Sequence, residues 1–100
     1  MKRELKLKEV VPSNREGKKY KAVFEKQGKS LIRHFGQKGS STYLDHRDKE
    51  RRSRYIKRHS NEKKFYNDPT RPATLSRYLL WGDSTTLNSA LKSYKRKFKV

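Results

Sequence analysis

Apolar residues alternate with polar ones along the first third of the chain, and the spacing predicts strands. Leu5 and Leu7 alternate with Lys6 and Lys8, then Val10 and Val11 stand side by side, a weak period-two signal over residues 4–11. Pro12-Ser13-Asn14-Arg15-Glu16-Gly17 reads as a loop. Lys18 to Glu25 is the better strand: Tyr20, Ala22 and Phe24 share one face, with Lys19, Lys21 and Glu25 on the other. Gln27-Gly28 predicts a hairpin turn in which glycine supplies a positive φ, and Lys29 to Phe35 returns as a third strand, Leu31, Arg33 and Phe35 opposite Ile32 and His34. A three-stranded meander is the simplest assembly of these segments.

The period then changes. Gly36-Gln37-Lys38-Gly39-Ser40-Ser41 predicts an exposed loop, and Asp45 to His59, without Gly or Pro, predicts a helix. Its acidic residues (Asp45, Asp48, Glu50) come early and its basic ones (Arg54, Lys57, Arg58) late, as the helix dipole favours; Tyr55, Ile56 and His59 form an inward stripe with Arg52. Residues 60–71 read as a polar loop pinned by Phe65 and Tyr66. Pro72 suits a helical first turn, Leu75, Tyr78 and Leu79 follow at helical spacing, and Gly82 predicts a stop. Asp83 or Ser84 is placed to cap a last helix carrying Leu87, Ala90, Leu91, Tyr94 and Phe98 on one face. The expected class is α+β: a small antiparallel three-stranded meander followed by three short helices. Residues 1–17 form an N-terminal strand or arm, and residues 18–100 one small basic domain. The expected core is Tyr20, Phe24, Ile32, Leu75, Tyr78, Leu79, Trp81, Leu87, Leu91 and Tyr94.

Charge changes the picture from a minimal fold to a cationic one. The 28 Lys and Arg against 10 Asp and Glu give a net charge of +18, and residues 1–30, 31–60 and 61–100 each carry +6, so the folded body itself is basic rather than a tail. Such a body favours polyanions: acidic protein surfaces, nucleic acid or an anionic membrane face. With only 30% hydrophobic residues in 100, the core is small and self-repulsion weakens it. The absence of cysteine excludes a disulfide framework and thiolate metal sites and suits a reducing compartment. No apolar run suits a signal peptide or a membrane span, the longest being Leu79-Leu80-Trp81.

Candidate chemistry is thin. His34, His46 and His59 lack the close pairing that zinc ligands show, and Asp45, Asp48 and Glu50 sit among arginines and lysines where capping explains them better than metal-dependent hydrolysis. Gly36-Gln37-Lys38-Gly39 lacks the spacing of a phosphate-binding loop. No catalytic, cofactor-binding or metal-binding residues and no small-molecule substrate are therefore expected. The dense cations are the candidate site. Arg47, Arg51, Arg52, Arg54, Lys57 and Arg58 are the first choice as contacts to an anionic partner, because guanidinium forks pair with phosphates and carboxylates alike. Lys92, Lys95, Arg96 and Lys97 on the last helix are the second. Tyr43, Tyr55, Phe65, Tyr66 and Trp81 are expected to anchor helices to a thin core rather than to stack on bases.

Several segments together resemble a family of small basic proteins of large nucleocytoplasmic DNA viruses, the chlorella-virus group among them. They are Tyr20-Lys21-Ala22-Val23-Phe24, Phe35-Gly36-Gln37-Lys38-Gly39, His46-Arg47-Asp48-Lys49-Glu50-Arg51-Arg52, Arg54-Tyr55, Arg58-His59, Leu75-Ser76-Arg77-Tyr78-Leu79-Leu80-Trp81 and Tyr94-Lys95-Arg96-Lys97-Phe98. The resemblance covers about residues 18–98 and departs at Gly82-Asp83. It implies a setting, a virion, and hence a non-enzymatic structural role as a minor capsid or cement component on the capsid's interior side, made in the host cytoplasm and held to acidic capsid partners by arrays of charge. Composition supports a nucleic-acid-binding protein for packaging or transcription equally well, with a small metal-dependent nuclease as a third reading.

Overall fold

The structure, a computed structural model, describes residues 4–100. Three antiparallel strands, β1 (Leu5–Pro12), β2 (Lys18–Lys26) and β3 (Lys29–Gln37), pair in the order β1-β2-β3, and short helices pack against one face of the sheet. The cross-strand sets Leu7–Phe24–Leu31 and Pro12–Tyr20–Phe35 line that face. The break in β1's alternation has a structural cause. Leu7 pairs with Phe24 while Glu9 pairs with Val23, so Lys8 is the extra residue of a bulge. The bulge changes the phase of the strand, which lets Leu5 and Leu7 before it and Val10 after it all meet the same core. The boundary drawn at residue 17 thus falls in a turn between two strands of one sheet, and β1 is part of the domain. The β2–β3 turn has both central residues left-handed, Gln27 at φ 51° and Gly28 at φ 78°, the hand that matches strand twist.

Ile32 was expected in the core and is not there. It pairs with Val23 on the face opposite Phe24 and Leu31 and is 45% exposed. The buried set is instead Leu5, Leu7, Ala22, Phe24 and Phe35 from the sheet against Leu75, Leu79, Leu80, Ala90, Tyr94 and Phe98 from the helices. Tyr20, Tyr78, Trp81, Leu87 and Leu91 pack on it half-buried. Gly36, expected in a loop, lies inside β3 at φ 78°, where a Cβ would stand 3.0 Å from Leu80 Cδ1 and 3.1 Å from Lys19 Cβ. Glycine there lets the end of the sheet close onto the helical layer.

The helix expected over Asp45–His59 is two. The short α1 (Tyr43–His46) ends at Arg47, which is left-handed at φ 55° and returns its N–H to the Tyr43 carbonyl at 2.9 Å. Asp48 then caps α2 (Lys49–Arg58), accepting from the backbone N–H of Glu50 at 2.9 Å and Arg51 at 3.3 Å. Part of the expected polar loop is a 3-10 helix, Ser60–Phe65. It is tied down by Thr74 Oγ1 donating to the Phe65 carbonyl at 2.8 Å, while the Tyr94 hydroxyl donates to the carbonyl of buried Pro69 at 2.6 Å. Pro72 opens α3 (Pro72–Leu75) as expected, and α3 widens directly into a π-helical turn, Ser76–Leu80. The last helix, α4 (Leu87–Phe98), is capped by Thr86, whose Oγ1 accepts from the Ser89 N–H at 3.2 Å, rather than by Asp83 or Ser84. Asp83 is engaged elsewhere.

Candidate polyanion-binding groove

The π turn decides where the chain's one tryptophan sits. Its N–H donates to the carbonyl of Ser76, five residues back, at 3.1 Å, and the chain then leaves the helix through Gly82. Gly82 is buried, and a Cβ there would stand 2.5 Å from the Tyr78 carbonyl oxygen, so the backbone can turn this tightly only without a side chain. Carbonyls at this helix end carry partial negative charge. Two guanidinium groups answer it. Arg77 Nη1 donates to the Trp81 carbonyl at 3.0 Å, and Arg52, reaching across from α2, donates its Nε to the carbonyls of Trp81 (3.1 Å) and Gly82 (3.0 Å) and its Nη2 to Asp83 Oδ1 (2.7 Å). The Arg52 guanidinium also lies over the Tyr43 ring, 5.6 Å from its centroid.

This staple brings α2 and the π turn face to face, and their aromatic rings stack. Trp81 and Tyr55 are 4.3 Å apart and parallel within 3°, and Tyr55 and His59 follow at 4.2 Å and 29°. His46 meets Trp81 at 5.3 Å. Burial pushes the Tyr55 phenol far above its ordinary value, so it stays neutral. His59 Nδ1 is 2.5 Å from Glu62 Oε2. His46 Nδ1 accepts from the Asp48 N–H at 2.9 Å, and its Nε2 is buried with no protein partner.

Beside the stack runs a groove of about 840 Å³. One wall is the end of the sheet, Gly17, Lys18 and Phe35 to Gln37, with the loop residues Ser40 to Thr42; that loop is held by Lys19 Nζ donating to the Ser40 carbonyl at 2.8 Å. The other wall is α2 with the adjoining 3-10 helix, contributing Arg51, Arg54, Tyr55, Arg58, His59 and Glu62, and Pro72, Ala73, Ser76 and Trp81 complete the lining. Arg51, Arg54 and Arg58 lie at i, i+3 and i+7, one face of a helix, spread over about 10 Å at 1.5 Å per residue. All three are exposed, and none forms an ion pair among the described residues. Glu62 is the single acid in the lining, against Lys18 and the three arginines. The field is felt beyond the groove: partial burial, then Arg15, Lys21 and Lys18, hold His34 below the ordinary histidine value. Asp45 and Asp48 are held below the usual carboxylate range chiefly by backbone hydrogen bonds from Thr42 and Arg51 respectively, and so remain anionic caps.

The ten cations singled out in the sequence therefore divide. Arg51, Arg54 and Arg58 meet at the groove. Arg52 does not: its donors are spent on its own protein, because two carbonyls and a carboxylate converge on it. Arg47 is the left-handed residue between two helices, outside the lining, and Lys57 borders a shallower depression with Lys49, Glu50, Ser53 and Arg54. Lys92, Lys95, Arg96 and Lys97 lie outside the groove, and Lys97 sits over the Tyr78 ring at 5.0 Å. Sequence reasoning missed Lys18, His46, Ser76 and Trp81 as groove residues. They are 63 positions apart at the extremes and carry no local motif; only the density of rings and cations around Tyr55 pointed that way. Among the described residues no three His, Asp or Glu converge as a metal site, and no helix is long and apolar enough to cross a membrane.

Fold and groove together define a small basic α+β domain with a cationic, ring-lined cleft at one end of its sheet. The chain belongs to DUF5754, a family of unknown function, whose profile matches residues 8–59. The match spans most of β1 through His59 and includes Lys18, Arg51, Arg54, Tyr55 and Arg58, but not the wall formed by α3 and Trp81. No curated protein and no solved structure matches the chain.

Proposed function

We propose that the protein is a non-enzymatic nucleic-acid-binding module whose phosphate contacts are Lys18, Arg51, Arg54 and Arg58. The observation that carries this reading is the set of three guanidinium groups on one face of α2, without ion pairs among the described residues, opening into a groove that holds one acid. Guanidinium donors match phosphate oxygens in pairs, and a cation without an internal carboxylate partner loses little when it takes an external anion. Aromatic rings beside such a row suit nucleic acid better than an acidic protein surface.

Salt dependence tests it. Four phosphate contacts predict a log–log slope of roughly −3 to −4, a loss of roughly a hundredfold in affinity between 50 and 200 mM salt. Fluorescence anisotropy with labelled oligonucleotides measures it, and a slope near zero defeats the proposal.

The minor-capsid role implied by the viral resemblance is the second reading. It is favoured by exposed cations away from the groove, Lys92, Arg96 and Lys97 on α4, which suit several weak contacts to acidic neighbours at once. Retention of the purified protein on a virion's major capsid protein, with no salt-sensitive binding to nucleic acid, is the result that would put it first. An anionic membrane surface is a weaker partner for a cleft of this depth than for a flat basic face.

A further inference from the structure

The cationic row lines a cleft rather than crowning a ridge, and this bears on the form of nucleic acid that fits. Elements that read duplex DNA project into its grooves, so that side chains on a convex helix or ribbon reach base edges and flanking phosphates. Here the face of α2 bearing Arg51, Arg54 and Arg58 looks across about 840 Å³ of cleft, a size in the range that encloses small ligands. A duplex presents phosphates on the outside of a stiff rod and keeps its bases stacked within. Its phosphates reach the rim, but its bases do not reach the rings.

The interior of the cleft suits an unpaired base. Trp81, Tyr55 and His59 already form a column with separations of 4.3 and 4.2 Å, and the His59 side chain at the column's end is 37% exposed, a π-face on which a further ring can continue the stack. Base-on-aromatic stacking is tolerant of sequence because every base has such a face. His46 Nε2, buried in the lining without a protein partner, adds a polar atom at the depth a base edge would reach.

We propose that the groove binds single-stranded nucleic acid, phosphates on Arg51, Arg54 and Arg58 and an unpaired base against the Trp81–Tyr55–His59 column. The proposal rests on the nucleic-acid reading above and narrows it. It implies little sequence preference, since no fixed set of donors and acceptors surrounds the column, and a preference for chains whose bases are free to splay.

The test compares an oligothymidylate of about a dozen nucleotides, within the span of roughly 4–16 that such sites cover, with a mixed-sequence duplex of the same length at one salt concentration. Trp81, being the chain's one tryptophan and part of the column, reports occupancy by its own fluorescence. The single strand is expected to bind roughly tenfold tighter than the duplex, one stacked base corresponding to about that ratio, and to quench Trp81 emission where the duplex does not. Arg54→Gln with Arg58→Gln, both exposed positions, should weaken the single strand by roughly tenfold and the duplex by about twofold. Lys92→Gln with Arg96→Gln on α4 should move both by about twofold. Equal or tighter duplex binding, or Trp81 emission unchanged by saturating oligothymidylate, overturns the single-strand proposal and leaves the nucleic-acid reading standing. Absence of salt-sensitive binding to either probe overturns the nucleic-acid reading itself.

Discussion

Arg52→Ala is expected to lower the unfolding free energy by about 2–3 kcal/mol, because hydrogen bonds to a charged group contribute about 1.5–3 kcal/mol each and a carbonyl left without its partner adds to the loss. The Trp81 carbonyl keeps Arg77, but the carbonyl of buried Gly82 loses its Arg52 donor, and Asp83 loses its ion pair. Asp83 is almost wholly exposed, so the ion pair itself contributes little and the carbonyl contacts dominate. Arg52→Lys should recover less than half of the loss: an ammonium is a point charge and cannot span two carbonyls and a carboxylate as a planar fork does. Urea denaturation followed by circular dichroism measures both. In the same variants, oligonucleotide affinity measured well below the melting temperature should stay within about twofold of the parent, since one screened charge near the cleft changes little else. A variant with unchanged stability and sharply weakened binding would return Arg52 to the list of partner contacts.

The second large effect lies in the sheet. Phe24 is fully buried between Leu7 and Leu31 at the centre of the meander, and Phe24→Ala should cost about 3–5 kcal/mol. For a domain whose total stability is about 5–15 kcal/mol, and which carries +18 of uncompensated charge, that brings the chain close to unfolding at low salt. Sulfate, or a bound polyanion, should restore much of the transition temperature, since each favours the compact state. Ile32→Ala, eight positions further on but on the opposite face, should cost less than about 1 kcal/mol. Similar losses at the two positions would mean that the sheet faces are assigned the wrong way round.

The contrast between Phe24 and Ile32 also marks how far a pattern of residues can be read. In β2, lysines and apolar residues alternate cleanly, so the inward face of Tyr20, Ala22 and Phe24 was plain. In β3, Leu31 and Ile32 are adjacent and both apolar, and only the register with Phe24 and Val23 decides between them. β1 hid its faces for another reason: one inserted residue, Lys8, changes the phase midway, and a bulge has no composition of its own to announce it. The split between α1 and α2 was illegible because Arg47 is a good helix former by type, and its left-handed backbone arises from two neighbouring carboxylates, Asp45 and Asp48, each serving its own helix start.

The groove was legible in kind and not in address. Density of charge singled out α2 correctly, and the spacing of Arg51, Arg54 and Arg58 was visible from the start. What no local pattern carried was that Arg52, in the same run, turns inward to carbonyls 29 and 30 residues away, or that Lys18 at the far end of the sheet faces the same space. Those placements depend on how the helical layer sits on the sheet, which is fixed by Gly36 against Leu80 and by the core beneath it.

One turn of backbone leaves a mark that can be read in other chains. A π turn encloses one residue more than an α turn, so the segment Ser76–Leu80 is in effect a helix with a single residue added. Removing that residue would let the helix run on regularly, but everything after it would rotate by about 100°, one residue's share of a 3.6-residue turn. The indole at position 81 would then swing off Tyr55. In an alignment, a one-position gap between Ser76 and Trp81 would therefore weigh more than many substitutions: it would separate chains that keep the ring column from chains that share the sheet and the basic helix alone.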